Sequence, residues 1–171
     1  MSIARVVRRV AALLEKRQEK IVFAESCTGG LVSGALTAVP GISRFHCGAM
    51  VVYRDETKAA FLGIAPGVIR EHGAVSEVVA RKMAGSVLMK TREADVGVSV
   101  TGHLGPDAPK ELDGRVYVGI AQRTGRAGKR ASVAVHSLEC RHVRGRVPRQ
   151  RWVVEQVLKL LATHLSQDDA P

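Results

Sequence analysis

The sequence predicts an α/β fold, in which helices cover both faces of a mixed, partly parallel sheet. Short apolar segments typical of buried strands alternate with segments whose apolar residues recur at helical spacing. The last two strand segments are separated only by the polar turn TGRAGKR, which predicts an antiparallel hairpin. The five predicted strands are residues 21–24, 45–53, 94–100, 115–122 and 131–137.

Apolar spacing and capping residues define the predicted helices. Residues 2–17 carry valines and leucines at helical intervals, with arginines mostly on the other faces, which predicts an amphipathic helix packed against the core. Asp55 is expected to cap a short helix that carries Lys58, and Ser76 is expected to cap a longer one. The other predicted helices are residues 31–39, a turn that begins at Pro66, residues 77–92, and a closing helix followed by a flexible tail at 166–171.

Length and composition indicate one globular domain over residues 1–171. The chain is 46% hydrophobic, which suffices for a sizeable core, and its longest apolar runs are far too short to span a membrane. Cys27, Cys47 and Cys140 are isolated and odd in number, so they fit neither a disulfide framework nor a zinc site. We therefore expect a cytoplasmic protein in a reducing environment, without membrane contact, metal or other cofactor.

The formal net charge of +10 is compatible with nucleic-acid binding, an anionic small substrate or simple solubility. Aromatic residues make up only 4% of the chain and no groove-reading motif is present, which argues against nucleic acid. A cluster of five arginines at 141–151 nevertheless keeps direct nucleic-acid binding open as an alternative.

The stretch IVFAESCTGG is the most informative part of the chain. An apolar strand at 21–24 ends in reactive side chains and a glycine pair, and a helix follows. Such a turn gathers hydroxyls, a thiol and N–H groups beside the positive end of a helix dipole, which suits an anion or a developing oxyanion. In the alternative interpretation, Ser26 and Thr28 only cap the helix, while Gly29 and Gly30 form the turn.

Hydroxyl groups follow three predicted strands, at Ser26, Tyr53 and Thr101. Ligands of open α/β sheets bind outside the carboxyl ends of parallel strands, so we expect these three groups to converge. A serine nucleophile needs a base. Lys58 is the stronger candidate, because it lies one turn beyond Tyr53 and a partly desolvated lysine can lose its proton near neutral pH. His103 is the weaker candidate, since a lone histidine in a loop is more often a simple polar group.

Cys27 is a rival nucleophile directly beside Ser26. Neighbours on an extended chain point to opposite sides, so one of the two residues is expected to be buried. The loop at 102–114 has a length that often carries function.

Several separate motifs can be compared with known families. They are AESCTGG, PGIS, VVYRDETKAAFLG, HGAVSE, VAxxMA and VSVTGxxGP. In this order and spacing they resemble the C-terminal domain of the competence- and damage-inducible CinA family, the nicotinamide-nucleotide amidases, over roughly residues 3–165. The resemblance implies a three-layer α/β/α sandwich. It also implies that a homo-oligomer hydrolyses the carboxamide of nicotinamide mononucleotide to nicotinate mononucleotide and ammonia, without a metal.

The resemblance assigns roles to individual residues. Ser26 matches the nucleophile, and Lys58 and Tyr53 match the residues that activate it. Thr101 matches a threonine of the active site. The expected substrate-binding residues are Cys27, Thr28, Gly29 and Gly30, whose N–H groups would hold the oxyanion, with Gly102, His103 and Arg146, the last for the nucleotide phosphate.

Two departures separate the chain from the family pattern. The family reads TGIAGPxGG where this chain reads TGHLGPDAP, so His103 and Leu104 replace isoleucine and alanine and the glycine pair is missing. The family's GDR appears as RGR, with Gly145 at the aspartate position and Arg146 at the arginine. We expect an altered pocket in a stand-alone amidase that lacks the family's molybdopterin-binding-like N-terminal domain. The alternative is a catalytically altered member that acts as a nucleotide-binding or DNA-damage-linked interaction protein.

Overall fold

A five-stranded sheet forms the middle layer of the fold, and helices cover both of its faces. The structure is a computed structural model that describes residues 2–124 and 130–167. Most of the predicted turn at 124–130 and the end of the predicted tail at 166–171 lie outside the described residues. The strands are β1 (Ile21–Glu25), β2 (His46–Val51), β3 (Val96–Gly102), β4 (Arg115–Thr124) and β5 (Arg130–Glu139). The helices are α1 (Ile3–Arg17), α2 (Leu31–Thr37), α3 (Asp55–Leu62), α4 (Pro66–His72), α5 (Glu77–Lys90) and α6 (Arg146–Gln167).

The order of strands in the sheet is β2-β1-β3-β4-β5. β1 runs parallel to both β2 and β3, whereas β4 pairs antiparallel with β3 and β5. The three parallel strands therefore end at the same edge of the sheet. The predicted α/β/α sandwich with a mixed, partly parallel sheet of five strands is confirmed.

β1 is buried along its whole length, because it lies between β2 and β3 and between the two helical layers. Ile21 and Phe23 pack in the core that includes α1, α2 and α6. Val22 and Ala24 pack in the second core, with α3, α4 and α5. Since successive strand residues point to opposite faces, burial on both faces explains the uninterrupted apolar run.

α5 packs directly on the backbone of β3 and β4. Ser99 Oγ donates a hydrogen bond to the Ala80 carbonyl at 2.7 Å and accepts one from the Gly119 N–H at 3.2 Å. A Cβ added at Gly119 would lie 2.7 Å from both the Ala80 oxygen and Ser99 Oγ, so the close approach requires glycine. This packing places the segment before α5 beside the carboxyl end of β3.

Several element boundaries differ from the prediction. β2 ends at Val51, earlier than predicted, because its partner β1 ends at Glu25. β3 runs past its predicted end, because Thr101 and Gly102 pair with the antiparallel strand β4. α2 and α5 also end earlier than predicted. Thr101 therefore lies inside a strand and not in the loop that follows it.

The predicted cap of α3 is wrong. Asp55 is the first residue of the helix, and the N-cap position belongs to Arg54. The Thr57 hydroxyl accepts a hydrogen bond from the Arg54 N–H at 3.1 Å, so the helix end does not need the Asp55 carboxylate. By contrast, Ser76 caps α5 as predicted, by accepting a hydrogen bond from an N–H of the first turn.

Candidate active site

A cavity of about 460 Å³ opens at the edge of the sheet where the parallel strands end. Its wall brings together eight residues expected from the sequence: Ser26, Cys27, Tyr53, Lys58, Thr101, Gly102, His103 and Arg146. The wall also contains Asp55, Ala74, Val75 and residues 104–108. Thr28, Gly29 and Gly30 were expected in the site, but they are not part of this wall.

Ser26 directly follows β1, and its N–H donates a hydrogen bond to the Val100 carbonyl of β3 at 3.0 Å. Ser26 is 7% exposed and Cys27 is 3% exposed, so both residues are largely buried rather than one. Burial raises the pKa of the Cys27 thiol to about 12. Because the thiolate is the nucleophilic form of cysteine, Cys27 is the weaker of the two candidate nucleophiles.

Glu25 is a fully buried carboxylate that organises the turn after β1. It accepts a hydrogen bond from the Thr28 hydroxyl at 2.6 Å, and from the N–H groups of Gly30, Val32 and Ser33 at 3.0, 3.1 and 2.8 Å. A carboxylate at the start of a helix is stabilised by the helix dipole. This role of Glu25 was not predicted, although a charged residue between an apolar strand and a helix is a signal that the sequence offers.

The N–H groups of the turn are only partly engaged by the protein itself. Those of Gly29 and Gly30 donate to a main-chain carbonyl and to the buried carboxylate, respectively. Of the other two residues, Cys27 lines the cavity whereas Thr28 is fully buried away from its wall, so the Cys27 N–H is the candidate for binding an anion. The peptide group between these two residues is held in place, because its carbonyl accepts a hydrogen bond from Gln150 Nε2 at 3.0 Å.

Lys58 is a buried lysine on α3, with a side chain that is 2% exposed. Its Nζ donates hydrogen bonds to the Tyr53 carbonyl at 3.4 Å and to Asp55 Oδ1 at 3.3 Å. The expected proximity of Tyr53 and Lys58 is confirmed, but it involves the main chain of Tyr53 and not its hydroxyl. Lysine is rarely buried so completely, so its position in the wall of the cavity favours a functional role.

Tyr53 and Arg146 meet at the rim of the cavity. The Tyr53 side chain is 56% exposed, and its hydroxyl accepts a hydrogen bond from Arg146 Nη2 at 2.7 Å. Arg146 Nη1 donates a second hydrogen bond to the Gly105 carbonyl at 2.7 Å. Arg146, the first residue of α6, thus bridges the segment before α3 and the loop after β3.

Thr101 is 1% exposed and directs its hydroxyl proton to the Ala74 carbonyl at 2.9 Å. Because a hydroxyl has one proton and two lone pairs, this bond leaves Thr101 as a hydrogen-bond acceptor toward the cavity. The arrangement suits a ligand that presents an N–H or O–H group at this point.

His103 and Leu104, the two residues that depart from the family pattern, differ in their surroundings. Leu104 is 2% exposed and packs in the core with α6. His103 is half-buried, and burial lowers the pKa of its imidazole, whereas the Asp113 carboxylate opposes that shift. His103 is therefore the departure that changes the polarity of the cavity wall.

An ion pair that sequence analysis missed holds the loop between β3 and β4. Arg149 donates two hydrogen bonds to the Asp113 carboxylate, at 2.6 and 3.0 Å, and a third to the Val143 carbonyl at 2.9 Å. Arg149 keeps the pKa of Asp113 below its usual value, chiefly through the hydrogen bond. Arg141 also donates to main-chain carbonyls of this loop. The arginine-rich segment thus uses much of its donor capacity inside the protein.

Gly145, at the position where the family has aspartate, has a φ of +87°. Residues with a Cβ rarely adopt this left-handed conformation, so the backbone here favours glycine. The departure from the family pattern therefore accompanies a local backbone conformation and not only a lost carboxylate.

The described residues contain neither a membrane-spanning helix nor a cluster of metal ligands. None of the helices in residues 2–124 and 130–167 is long and apolar enough to cross a membrane. Within the same residues, no group of three or more His, Cys, Asp or Glu side chains is arranged to hold a metal ion. Cys27 and Cys140 are buried free thiols, and Cys47 is a half-buried one.

The sequence is similar to those of several curated proteins. A putative competence-damage inducible protein of Symbiobacterium thermophilum is 45% identical over 121 residues, which cover 70% of this chain and 28% of that protein. A CinA-like protein of Dictyoglomus thermophilum is 43% identical over 113 residues, which cover 65% of this chain and 27% of that protein. The chain therefore spans little more than a quarter of the length of these curated relatives.

Solved structures and a family model indicate similarity to the same kind of protein as these relatives in sequence. The competence/damage-inducible protein CihA of Agrobacterium tumefaciens has a TM-score of 0.86 and 31% identity, covering 96% of this chain and 95% of its own. A CinA superfamily protein of Escherichia coli has a TM-score of 0.80 and 26% identity, covering 95% and 90%. Residues 3–165 match the model of the CinA C-terminal domain, and the chain belongs to this family.

Proposed function

We propose that this domain is a nicotinamide-nucleotide amidase that hydrolyses nicotinamide mononucleotide to nicotinate mononucleotide and ammonia. The observation that carries the proposal is one cavity lined by a strand-end serine, a buried lysine and, at its rim, an arginine. These are Ser26, Lys58 and Arg146, and they supply a nucleophile, a base and a phosphate ligand, respectively.

In the proposed reaction, Lys58 accepts the proton of Ser26 while Ser26 Oγ bonds to the carboxamide carbon. The N–H group of Cys27, which lines the cavity, holds the resulting oxyanion. The C–N bond then breaks, and the departing nitrogen takes a proton from Lys58 and leaves as ammonia. A water molecule attacks the acyl-serine, gives its proton to the same lysine, and releases nicotinate mononucleotide with Ser26 restored.

The substrate's two polar ends find matching groups in the cavity. The carboxamide NH₂ is a donor, and Thr101 offers it an acceptor because its own proton is bound to Ala74. The phosphate is an anion, and Arg146 carries further guanidinium donors beyond the two that it already uses. Burial of the Cys27 thiol supports Ser26 as the nucleophile.

Membership in the family also supports a homo-oligomer that acts in the cytoplasm, with residues 1–171 as a single domain. Four helical side chains remain between 47% and 55% exposed and offer apolar surface to a second copy: Leu31, Phe61, Met89 and Val147. Sedimentation of the purified protein tests the oligomer, and a monomer at all concentrations would contradict it.

The proposed activity is tested by measuring ammonia released from nicotinamide mononucleotide, nicotinamide riboside and free nicotinamide. We expect the nucleotide to be the preferred substrate. Lys58→Arg should lower kcat by roughly 10²-fold or more, because a guanidinium keeps its charge but does not accept the serine proton. Absence of ammonia from the nucleotide, or full activity of Lys58→Arg, would contradict the proposal.

A further inference from the structure

Arg146 connects the rim of the cavity to the lysine inside it. Its guanidinium binds the Tyr53 hydroxyl at 2.7 Å, and the main-chain carbonyl of the same tyrosine accepts a hydrogen bond from Lys58 Nζ at 3.4 Å. Tyr53 is thus the single residue between the arginine and the lysine. Tyr53 is 56% exposed, and the hydrogen bond from Arg146 ties its hydroxyl to the start of α6.

The same arginine has donors to spare. A guanidinium carries five N–H donors, and Arg146 uses one for the Tyr53 hydroxyl and one for the Gly105 carbonyl. The remaining donors can bind two oxygens of a phosphate without breaking either contact. Since Arg146 is exposed, a phosphate can reach it from solvent.

Lys58 is loosely held in comparison with Arg146. Its two hydrogen bonds measure 3.3 and 3.4 Å, beyond the usual range of about 2.7–3.2 Å, whereas both contacts of Arg146 measure 2.7 Å. Small movements of Tyr53 therefore change the position of the lysine relative to Ser26 more readily than they disturb the arginine.

We propose that a phosphate bound to Arg146 orders Tyr53 and thereby positions Lys58, so that the phosphate raises kcat and not only substrate affinity. Arg146 acts here as a positioning residue through Tyr53. The inference rests on the proposed amidase function. Interaction energy from a part of the substrate that does not react then appears as stabilisation of the transition state.

The test compares two substrates, nicotinamide mononucleotide and nicotinamide riboside, and adds inorganic phosphite as a separate dianion. For the wild-type protein we expect kcat for the riboside to be roughly 10²-fold lower than kcat for the nucleotide. Added phosphite should raise kcat for the riboside about tenfold. In Tyr53→Phe the ring remains but the hydroxyl link is gone, so activation by phosphite should fall below about twofold. Activation is a ratio within one variant, so a direct role of Tyr53 in proton transfer does not affect this readout.

If Tyr53→Phe turns over too slowly to measure, Arg146→Lys tests the same coupling between the phosphate and kcat. Lysine keeps a charge for the phosphate but does not bridge Tyr53 and Gly105, so substrate affinity should change less than kcat. Arg151→Gln, an exposed arginine on the same helix, is the matched control and should keep the wild-type activation.

Three outcomes distinguish the two proposals. Equal kcat for both substrates, with only KM raised for the riboside, would overturn the coupling while leaving the amidase function in place. Undiminished phosphite activation in Tyr53→Phe or Arg146→Lys would also overturn it. No ammonia from the nucleotide would instead reject the amidase function itself.

Discussion

The two walls of the cavity are held in different ways. The turn proposed to be catalytic, residues 25–33 and called the catalytic turn here, is held from inside by the fully buried carboxylate of Glu25, which accepts four hydrogen bonds. The loop proposed to contact the substrate, residues 103–114 and called the substrate loop here, is held by Arg141, which precedes α6, and by Arg146 and Arg149 in the first turn of α6.

This difference is important because the free-energy cost of losing a hydrogen bond depends on whether its partners are buried. A buried charged acceptor that loses its partners leaves unsatisfied donors in a place without water, whereas water replaces a lost partner at the surface. The catalytic turn should therefore tolerate almost no change, while the substrate loop can change sequence, as it does at His103 and Leu104, without loss of the fold.

The largest expected effect follows from removing the proposed nucleophile. Ser26→Ala should lower kcat for nicotinamide mononucleotide by roughly 10⁴-fold, because alanine has no hydroxyl to attack the carboxamide carbon. The melting temperature should barely change, since the main-chain bond from residue 26 to Val100 survives. Activity within tenfold of wild type would move the nucleophile elsewhere. Calorimetric binding of the substrate to the variant provides the control for an intact pocket.

Glu25→Gln should have the next largest effect, on stability as well as on activity. The amide replaces one acceptor oxygen by an NH₂ donor that faces donors of the turn, at a cost of roughly 3 kcal/mol in the free energy of unfolding. Urea denaturation measures this cost. Glu93→Gln, which breaks only the exposed ion pair with Lys20, is the matched control and should leave the transition midpoint unchanged. Equal midpoints for the two variants would contradict the assigned role of Glu25.

Asp113→Asn should affect substrate binding more than the fold. Losing the carboxylate weakens the contact with Arg149 and loosens the substrate loop, so we expect KM to rise about tenfold with kcat within threefold. Glu111→Gln makes the same change of charge in the same loop but leaves that contact intact, and its KM should match wild type. If kcat falls as much as affinity, the loop contributes to the chemical step as well.

The smallest expected effect is on the titration of His103. Burial lowers the pKa of this histidine and the Asp113 carboxylate raises it, so Asp113→Asn should lower the pKa further. NMR titration of the imidazole measures the shift. Because the folded-state pKa lies below the ordinary value near 6.5, protonation favours the unfolded chain, and the contribution to stability is lost as pH falls below about 6.5. A raised pKa in the variant would mean that another group dominates.

Much of the fold can be predicted from the sequence because local patterns indicate its strands and helices. The apolar run at 21–24 and the cap at Ser76 are readable without any tertiary contact. The end of β3 cannot be predicted from the local sequence, because Thr101 and Gly102 belong to the strand only through their pairing with β4. The position of β4 depends on the whole chain. Boundaries of this kind are set by tertiary pairing and not by propensity.

Less of the candidate site than of the fold can be predicted from the sequence, for a related reason. The rule that ligands bind at the ends of parallel strands predicts that Ser26, Tyr53 and Thr101 converge, and Lys58 joins them because it lies one turn beyond Tyr53. Asp55 was read as a helix cap because local spacing allowed it, whereas in the folded protein Thr57 satisfies the helix end and Asp55 pairs with the lysine. The pairing of Arg149 with Asp113 spans distant parts of the chain, so no local pattern could reveal it.

The central claim, that Ser26 attacks the carboxamide carbon, is tested most directly by locating the covalent intermediate. Wild-type protein is quenched with acid during turnover of nicotinamide mononucleotide and digested with trypsin, which cuts after Lys20 and Arg44. Fragmentation of the resulting peptide should place a nicotinate mononucleotide acyl group on Ser26, and the group should be absent from Ser26→Ala. An acyl group on Cys27 or Thr28, or one that persists in the alanine variant, would contradict the account.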